Sequence, residues 1–118
     1  MKATNLELDH HIEMLKPFLK HRNKVGYIAA RNLRLISNAL TEYFQFKEEL
    51  LRKYGDVSED GDKISIFPDS ERFEPFMEEM EPIKNIKQEV DIMMLKYDEI
   101  IGILSGEEIL MLEWMLEE

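Results

Sequence analysis

The segment that decides the fold is 24–54, which reads KVGYIAARNLRLISNALTEYFQFKEELLRKY. Apolar and aromatic residues recur in it at the alternating three- and four-residue spacing of one helical stripe. This stripe consists of Ala29, Leu33, Ile36, Leu40, Tyr43, Leu50 and Tyr54. A second line beside it consists of Ile28, Leu35, Ala39 and Phe46. The spacing predicts one continuous helix, roughly 46 Å long at about 1.5 Å per residue, with other segments covering about half of its circumference.

A shorter helix is predicted in front of the long one. A capping-box sequence begins at Thr4, and Asn23 is a suitable N-cap for the long helix. Pro17 should kink or divide the first helix, because proline removes a backbone donor. The short connection between the two helices predicts an antiparallel pair, 5–22 and 24–54.

The helical period disappears after the long helix. Residues 56–68 are predicted to form an acidic loop followed by a short strand at Lys63–Phe67. Helical spacing returns from about Ser70 and continues as far as Val90. Ser105 has the capping-box spacing that begins a last helix.

The segment 83–97 fits either a helix or a strand. Its apolar residues alternate from Val90 onward, which favours a strand, whereas its methionines and leucine also suit a helix. We predict a strand at Val90–Leu95, paired with Lys63–Phe67, because a lone strand cannot satisfy its own backbone.

These elements predict an α+β, mostly α, fold. It comprises an antiparallel helical pair with one long helix, a small two-stranded β element and C-terminal helices. The length predicts a single domain over 1–118, in which 5–22 and 24–54 form the scaffold and 70–118 forms an acidic helical and β half.

Two polar residues lie in or beside the apolar stripe of the long helix, Asn32 and Lys47. Buried amides in proteins are hydrogen-bonded, so we expect Asn32 to be a satisfied polar group at a helix interface. We expect Lys47 to lay its stem along the core and to expose its ammonium group.

The formal net charge of −10 is unevenly distributed along the chain. Residues 1–54 carry ten basic and six acidic side chains, whereas residues 55–118 carry five basic and nineteen acidic ones. No acidic residue lies between Met14 and Thr41. Two interpretations stay open: the acidic half folds onto the basic half and its excess charge is solvated, or the acidic half attracts a basic partner. We do not expect direct binding to nucleic acid.

The composition disfavours several classes of protein. The chain has no cysteine, and therefore neither a disulfide frame nor a thiolate nucleophile, which fits an intracellular protein. Apolar runs such as Ile92–Leu95 are too short to span a membrane, and the first residues lack the pattern of a signal peptide. We therefore expect a cytoplasmic protein with no membrane partner.

Two patterns approach known metal sites without completing them. The loop that begins at Asp56 has oxygen ligands and Gly61 where a calcium-binding EF-hand needs them, but Phe67 occupies the position of the bidentate glutamate. Glu7 and His10 have the spacing used in di-iron helical bundles, but the sequence holds no second copy. We expect no metal and no cofactor.

Nothing in the sequence indicates an active site. The chain contains no Gly-x-Ser-x-Gly elbow, no dinucleotide fingerprint and no phosphate loop. Adjacent carboxylates such as Glu78 and Glu79 diverge on a helix instead of converging on a substrate. We therefore expect no enzymatic activity; an enzyme would need a concave pocket with converging polar groups.

Candidate partner-binding residues lie in the acidic segments and in the last helix. The acidic candidates are Asp56, Glu59, Asp60, Asp62, Glu78 and Glu79. The last helix is apolar almost all the way round, so it is either deeply buried or meets another molecule on one side. Methionines there fill a core or form an adaptable docking surface, and the candidates are Met111, Trp114 and Met115.

Several short segments resemble small proteins of unknown function that are encoded in bacteriophages and prophages of low-GC Gram-positive bacteria. These segments are Arg31–Arg34, Lys47–Gly55, the Asp60-Gly61 turn, Phe76 and Glu89–Ile92. The resemblance implies a small accessory protein of a mobile element that acts in the host cell by binding host machinery. It brings no activity and no site residues with it.

Together these observations predict a non-catalytic, protein-binding accessory protein of phage type. In this hypothesis it is an acidic inhibitor, similar to a nucleic-acid mimic, of a basic host or defence protein. The alternative is a phage structural or assembly protein that forms homo-oligomers through the long helix or the helix of Trp114.

Overall fold

The computed structural model describes residues 1–57, 61 and 64–118. The fold is α+β and mostly α, as the sequence predicts. The helices in these residues are α1 (Asn5–Leu15), α2 (Lys24–Ala39), α3 (Thr41–Tyr54), α4 (Phe73–Lys84), α5 (Tyr97–Ile100) and α6 (Gly106–Leu112). The strands are β1 (Lys2–Thr4), β2 (Asp56–Val57), β3 (Ile64–Ser65), β4 (Lys87–Glu89), β5 (Leu95–Lys96) and β6 (Leu116–Glu117).

The first helix has the capping box that the sequence predicts. The Glu7 backbone N–H donates to Thr4 Oγ1 over 3.1 Å, and the Thr4 N–H donates to Glu7 Oε1 over 3.0 Å. α1 ends at Leu15, and a 3₁₀ turn at Lys16–Phe18 contains Pro17. The predicted division at the proline is therefore confirmed. α1 then packs against α2.

The long helix predicted over 24–54 is broken at Leu40, so the prediction of one continuous helix is wrong. The ladder of helical hydrogen bonds runs to the Leu40 N–H, which donates to Ile36 O over 3.0 Å. It resumes at the Phe44 N–H, which donates to Leu40 O over 2.9 Å. The backbone of Leu40 lies at φ −96° and ψ 6°, outside the helical region, and α2 and α3 are consequently separate helices.

Side chains replace helical donors at the break. The Thr41 hydroxyl donates to Asn38 O over 3.0 Å, and Gln88 Nε2 donates to Ala39 O over 2.9 Å. Gln88 comes from β4, which is far away in sequence. Helical periodicity is a local signal, so it could not show that a distant amide would support the end of α2.

The strands form three pairs, and none is the pair predicted from the sequence. β1 runs antiparallel to β4, β2 forms an antiparallel hairpin with β3, and β5 runs parallel to β6. The predicted pairing of Lys63–Phe67 with Val90–Leu95 is therefore wrong, although Lys63 itself lies outside the described residues. The physical reason is that nearer partners satisfy these backbones: Ile64 pairs with Val57 in the hairpin, and Leu95 pairs with Leu116.

Residues 83–97 are neither one helix nor one strand. α4 ends at Lys84, two residues after Pro82, so the helical spacing that reaches Val90 does not produce a helix. The chain then forms β4 and an irregular stretch before β5. The N-terminal ammonium of Met1 donates to Val90 O over 2.8 Å, which fastens the chain terminus beside β4.

The core contains one fully buried asparagine, Asn32 on α2. Its Nδ2 donates to Met93 O over 2.8 Å, and its Oδ1 accepts from the Met93 N–H over 2.8 Å. The expectation that Asn32 is a satisfied buried group is confirmed. This amide fastens the irregular stretch before β5 onto α2.

Candidate functional site

One side of α4 carries a row of exposed carboxylates, which we call the acidic face. Glu74, Glu78 and Glu81 are spaced by four and three residues, so they lie on the same side of the helix. Met77 and Pro82 line the same shallow groove, which has a volume of about 580 Å³. The acidic face therefore combines negative charge with apolar side chains.

The carboxylates of the acidic face have no ion-pair partner among the described residues. No basic nitrogen there approaches Glu74, Glu78 or Glu81 within 4 Å, and Glu81 accepts only an amide hydrogen bond from Asn85, over 3.2 Å. The Lys84 ammonium lies 3.8 Å from the sulfur of Met77, which lines the groove. The carboxylates of the acidic face can therefore contact solvent or a partner.

Two other predicted acidic residues are already engaged inside the molecule. Glu79 contacts the Lys53 ammonium over 3.4 Å, and hydrogen bonding from Tyr54 and then Lys53 lowers the pKa of Glu79. Asp56 accepts from Arg72 Nη2 over 3.1 Å. Of the acidic candidates, Glu78 is the one that lies on the acidic face.

The remaining acidic candidates, Glu59, Asp60 and Asp62, lie outside the described residues. The same holds for most of the loop that resembles the start of a calcium site. In the described part of the chain, no group of three or more metal-ligating side chains comes together. Within that part, no helix is long and apolar enough to cross a membrane.

The apolar candidates near the C-terminus are occupied by contacts within the molecule. Met115 is fully buried, and Asn32 Nδ2 lies 3.7 Å from its sulfur, so Met115 supports the core and is not available to a partner. Trp114 Nε1 donates to Met111 O over 3.0 Å. The indole also stacks on the imidazole of His11, with ring centroids 4.0 Å apart and planes within 5°.

The stacked histidine is a buried polar group that sequence reasoning missed. His11 Nδ1 is buried and has no hydrogen-bond partner among the described residues. Burial lowers the pKa of His11, and the nearby Glu7 carboxylate opposes this shift. The sequence drew attention to the neighbouring His10, because its spacing from Glu7 resembles a metal motif. Among the described residues, His11 is the histidine that stacks on Trp114, and this contact depends on the fold.

Part of the charge asymmetry is neutralised inside the molecule. The Lys24 ammonium at the start of α2 forms an ion pair with Glu99 on α5. His21 Nε2 lies 3.6 Å from Glu108 at the start of α6. Hydrogen bonding from Lys24 lowers the pKa of Glu99, and backbone hydrogen bonding at Ser105 is the main cause that lowers the pKa of Glu108. The C-terminal acidic segments thus contact the basic N-terminal half at these two points, in addition to the contact between Glu79 and Lys53.

A second concave site lies over the break between α2 and α3, and we call it the amide cleft. It has a volume of about 440 Å³ and is lined by Asn5, Ala39, Glu42, Tyr43, Phe46, Ile83, Ile86 and Gln88. Asn5 is almost completely buried, and its Oδ1 accepts from Gln88 Nε2 over 2.6 Å. The sequence analysis singled out no polar residue of this cleft, because its members are separated by up to 83 residues.

No family model, curated protein or solved structure matches this chain. The resemblance to phage-encoded proteins therefore stays a prediction. What the molecule can do has to be argued from the acidic face and the amide cleft themselves.

Proposed function

We propose that this chain is a non-catalytic protein-binding protein whose acidic face docks on a basic surface of another protein. The observation that carries the proposal is the arrangement of Glu74, Glu78 and Glu81 around an apolar groove. Asp56 and Glu79 contact cations of the same molecule, whereas these three carboxylates have no such contact among the described residues and line one groove together.

The chemistry of the face indicates what kind of partner fits it. Lysine or arginine side chains would contact the carboxylates, and an apolar side chain would cover Met77 and Pro82. Individual exposed ion pairs contribute little, typically about 0.2–1 kcal/mol each. Several such pairs around a desolvated apolar contact give specificity, and the net charge of −10 accelerates the encounter with a basic protein.

In the setting that the phage resemblance implies, the partner would be a basic host or defence protein that normally binds nucleic acid. The acidic face would then occupy a site intended for phosphates, and the protein would act as an inhibitor in the cytoplasm of the host cell. This role needs binding and no chemistry, and the face offers carboxylates, apolar groups and the Asn85 amide for such binding.

The test is a capture experiment with matched charge variants. The immobilised wild-type chain is compared with the triple variant Glu74→Gln, Glu78→Gln, Glu81→Gln in a bacterial lysate. The control is Glu49→Gln, Glu113→Gln, Glu117→Gln, which removes the same charge from exposed positions elsewhere. We expect proteins that wild type and control retain, that the acidic-face variant loses, and that are released when salt rises from about 0.05 M to about 0.5 M.

Two results would contradict the proposal. One is that the acidic-face variant and the control retain the same proteins. The other is that the proteins lost by the acidic-face variant are bound to wild type equally well at both salt concentrations.

A structural or assembly role is a second candidate, because three aliphatic side chains near the C-terminus are largely exposed. Ile101 is 69% exposed, Ile103 is 49% exposed and Leu110 is 67% exposed. An assembly interface would cover such residues. Light scattering at high concentration separates the two candidates: self-association that Ile101→Ser and Leu110→Ser abolish favours assembly, and a strict monomer rules it out.

A further inference from the structure

The amide cleft lies where five parts of the chain meet. Asn5 opens α1, Ala39 ends α2, Glu42 lies in the first turn of α3, Ile83 lies in α4, and Gln88 lies in β4. The cleft therefore depends on the helix break, which turns the carbonyl of Ala39 toward the Gln88 amide. It is separate from the acidic face, with which it shares no lining residue.

Most of the amide hydrogens in the cleft are already committed. Gln88 Nε2 donates both to Asn5 Oδ1 and to Ala39 O, and Asn5 Nδ2 donates to Ile83 O over 2.9 Å. Each side-chain amide has two N–H donors, so three of the four are engaged. The carbonyl oxygen of Gln88 and the second lone pair of Asn5 Oδ1 remain as acceptors. The floor of the cleft therefore suits a ligand that donates hydrogen bonds.

A carboxylate at the rim adds negative charge. Glu42 is exposed, and in the described part of the chain no basic nitrogen lies within 4 Å of it. Burial, together with the charge of Asp9, raises the pKa of Tyr43, so the phenol of this lining residue stays neutral at ordinary pH. The charge of the lining is therefore negative, and it complements a cation.

The walls are apolar and the volume is that of a small-molecule site. Phe46, Ile83, Ile86 and the ring of Tyr43 form these walls. Ligand pockets in proteins typically measure about 300–1,000 Å³, and the amide cleft falls within that range. At about 30 Å³ per water-sized group, a volume of about 440 Å³ holds roughly fifteen such groups, so a ligand with one aromatic ring and a short chain fits the cleft.

From these observations we propose that the amide cleft binds a small organic ammonium compound with an apolar, preferably aromatic, body. The ammonium group contacts the Glu42 carboxylate and donates to the Gln88 oxygen, and the body packs against Phe46, Ile83 and Ile86. This binding is independent of the acidic face and of the proposed function.

The test is an NMR titration of the ¹⁵N-labelled full chain with three probes of matching shape. The probes are phenethylammonium, 2-phenylethanol and 3-phenylpropionate, which carry a positive, a neutral and a negative end group. We expect phenethylammonium to shift the amide signals of 39–46 and 83–88 and to bind roughly two- to fivefold more tightly than the alcohol, as an exposed ion pair allows. The carboxylate probe should bind most weakly.

Two variants locate the charge contact. Glu42→Gln should lower the affinity for phenethylammonium to that for 2-phenylethanol. Glu49→Gln, which removes the same charge two turns further along α3, should leave both affinities unchanged. Ile86→Trp places a larger side chain at the half-exposed mouth of the cleft and should weaken all three probes. The dispersion of the amide signals confirms that each variant is folded.

Several outcomes would overturn the proposal. Shifts confined to 74–82 would assign the probe to the acidic face, and equal affinities for the three probes would remove the role of charge. Equal effects of Glu42→Gln and Glu49→Gln would make the attraction non-specific. Tighter binding of Nα-acetyl-lysine amide than of phenethylammonium would identify the occupant as a protein side chain instead of a free small molecule.

Discussion

The two buried amide clusters of this molecule have the same chemistry and different consequences. Asn32 is fully enclosed, and both ends of its amide contact the backbone of Met93. Gln88 Nε2 donates to Asn5 Oδ1 and to the Ala39 carbonyl beside an open cleft of about 440 Å³. The first cluster closes the packing between two segments, whereas the second supports a broken helix and leaves space next to it.

The difference follows from what each amide satisfies. Asn32 gives a donor and an acceptor to one residue of an irregular stretch, as a neighbouring strand would, and its own side chain is fully buried. Gln88 gives the carbonyl of Ala39 a side-chain donor at the helix break. This carbonyl lies beside the cleft, which water can reach. Buried polar groups of one type therefore contribute unequal amounts to stability, according to whether water can replace them.

The largest effect is expected for Asn32→Ala. The substitution removes two hydrogen bonds of a fully buried amide and leaves the N–H and C=O of Met93 without their side-chain partner. We expect the free energy of unfolding, measured by urea denaturation, to fall by about 3 kcal/mol. Asn38→Ala changes an exposed asparagine of the same helix and should stay within about 0.5 kcal/mol of wild type. Similar losses for the two variants would contradict this account of Asn32.

A smaller effect is expected for Gln88→Ala. Water entering the amide cleft can donate to Ala39 O in place of the lost amide, so the free energy of unfolding should fall by only about 1 kcal/mol. Hydrogen exchange at residues 40–44 should accelerate, because the break loses its support. The control is Gln45→Ala, which changes an exposed glutamine of α3, the helix that begins at the break. It should change neither the free energy of unfolding nor the hydrogen exchange. A loss as large as that of Asn32→Ala would remove the distinction between the clusters.

His11 contrasts with both amide clusters, because its buried Nδ1 has no hydrogen-bond partner among the described residues. Because burial lowers its pKa, the folded chain binds fewer protons at this site than the unfolded chain near pH 6.5. Its contribution to stability is therefore present above pH 6.5 and is lost as the pH falls below that value. We expect this loss to be below about 1 kcal/mol, since the side chain is only partly buried.

The measurement for His11 is the difference in unfolding free energy between wild type and His11→Asn, taken from about pH 7.5 to about pH 5.5. The carboxylates whose pKa the fold lowers, such as Glu99, also destabilise the protein as the pH falls, but they do so equally in both chains. Wild type should lose more stability than the variant. Parallel pH profiles would show that His11 does not titrate differently in the folded state.

The smallest effect is expected for the rim of the amide cleft. Glu42 is exposed and has no ion-pair partner in the part of the chain that the structure describes, so Glu42→Gln should change the unfolding free energy by less than about 0.5 kcal/mol. Glu49→Gln should behave in the same way. A clear destabilisation by Glu42→Gln alone would mean that this carboxylate supports the break and is not free for a ligand.

Local signals correctly predicted where α1, α2 and α6 begin, but not where α3 and α5 begin. The boxes at Thr4 with Glu7 and at Ser105 with Glu108 are both present, and so is the Asn23 cap, because each depends on residues two or three positions apart. The break at Leu40 depends on Gln88, and the strand pair β1–β4 joins residues more than 80 positions apart. No periodicity or cap sequence contains that information.

The candidate sites were only partly predictable for the same reason. Glu78 could be named because charge is visible in the sequence, but the exposed row it forms with Glu74 and Glu81 depends on where α4 packs. Met115 was named for its residue type, yet it lies in the core. The amide cleft is assembled from five separate elements, and its residue types are common ones.

The central claim is that the acidic face is the preferred surface for a basic partner. The most direct measurement is an NMR titration of the ¹⁵N-labelled chain with deca-lysine at low salt. The account predicts that the amide shifts concentrate at residues 74–82 and that Glu74→Gln, Glu78→Gln, Glu81→Gln removes them, while Glu49→Gln, Glu113→Gln, Glu117→Gln leaves them in place. Shifts spread evenly over the exposed carboxylates of the molecule, and equally weakened by both triple variants, would contradict it.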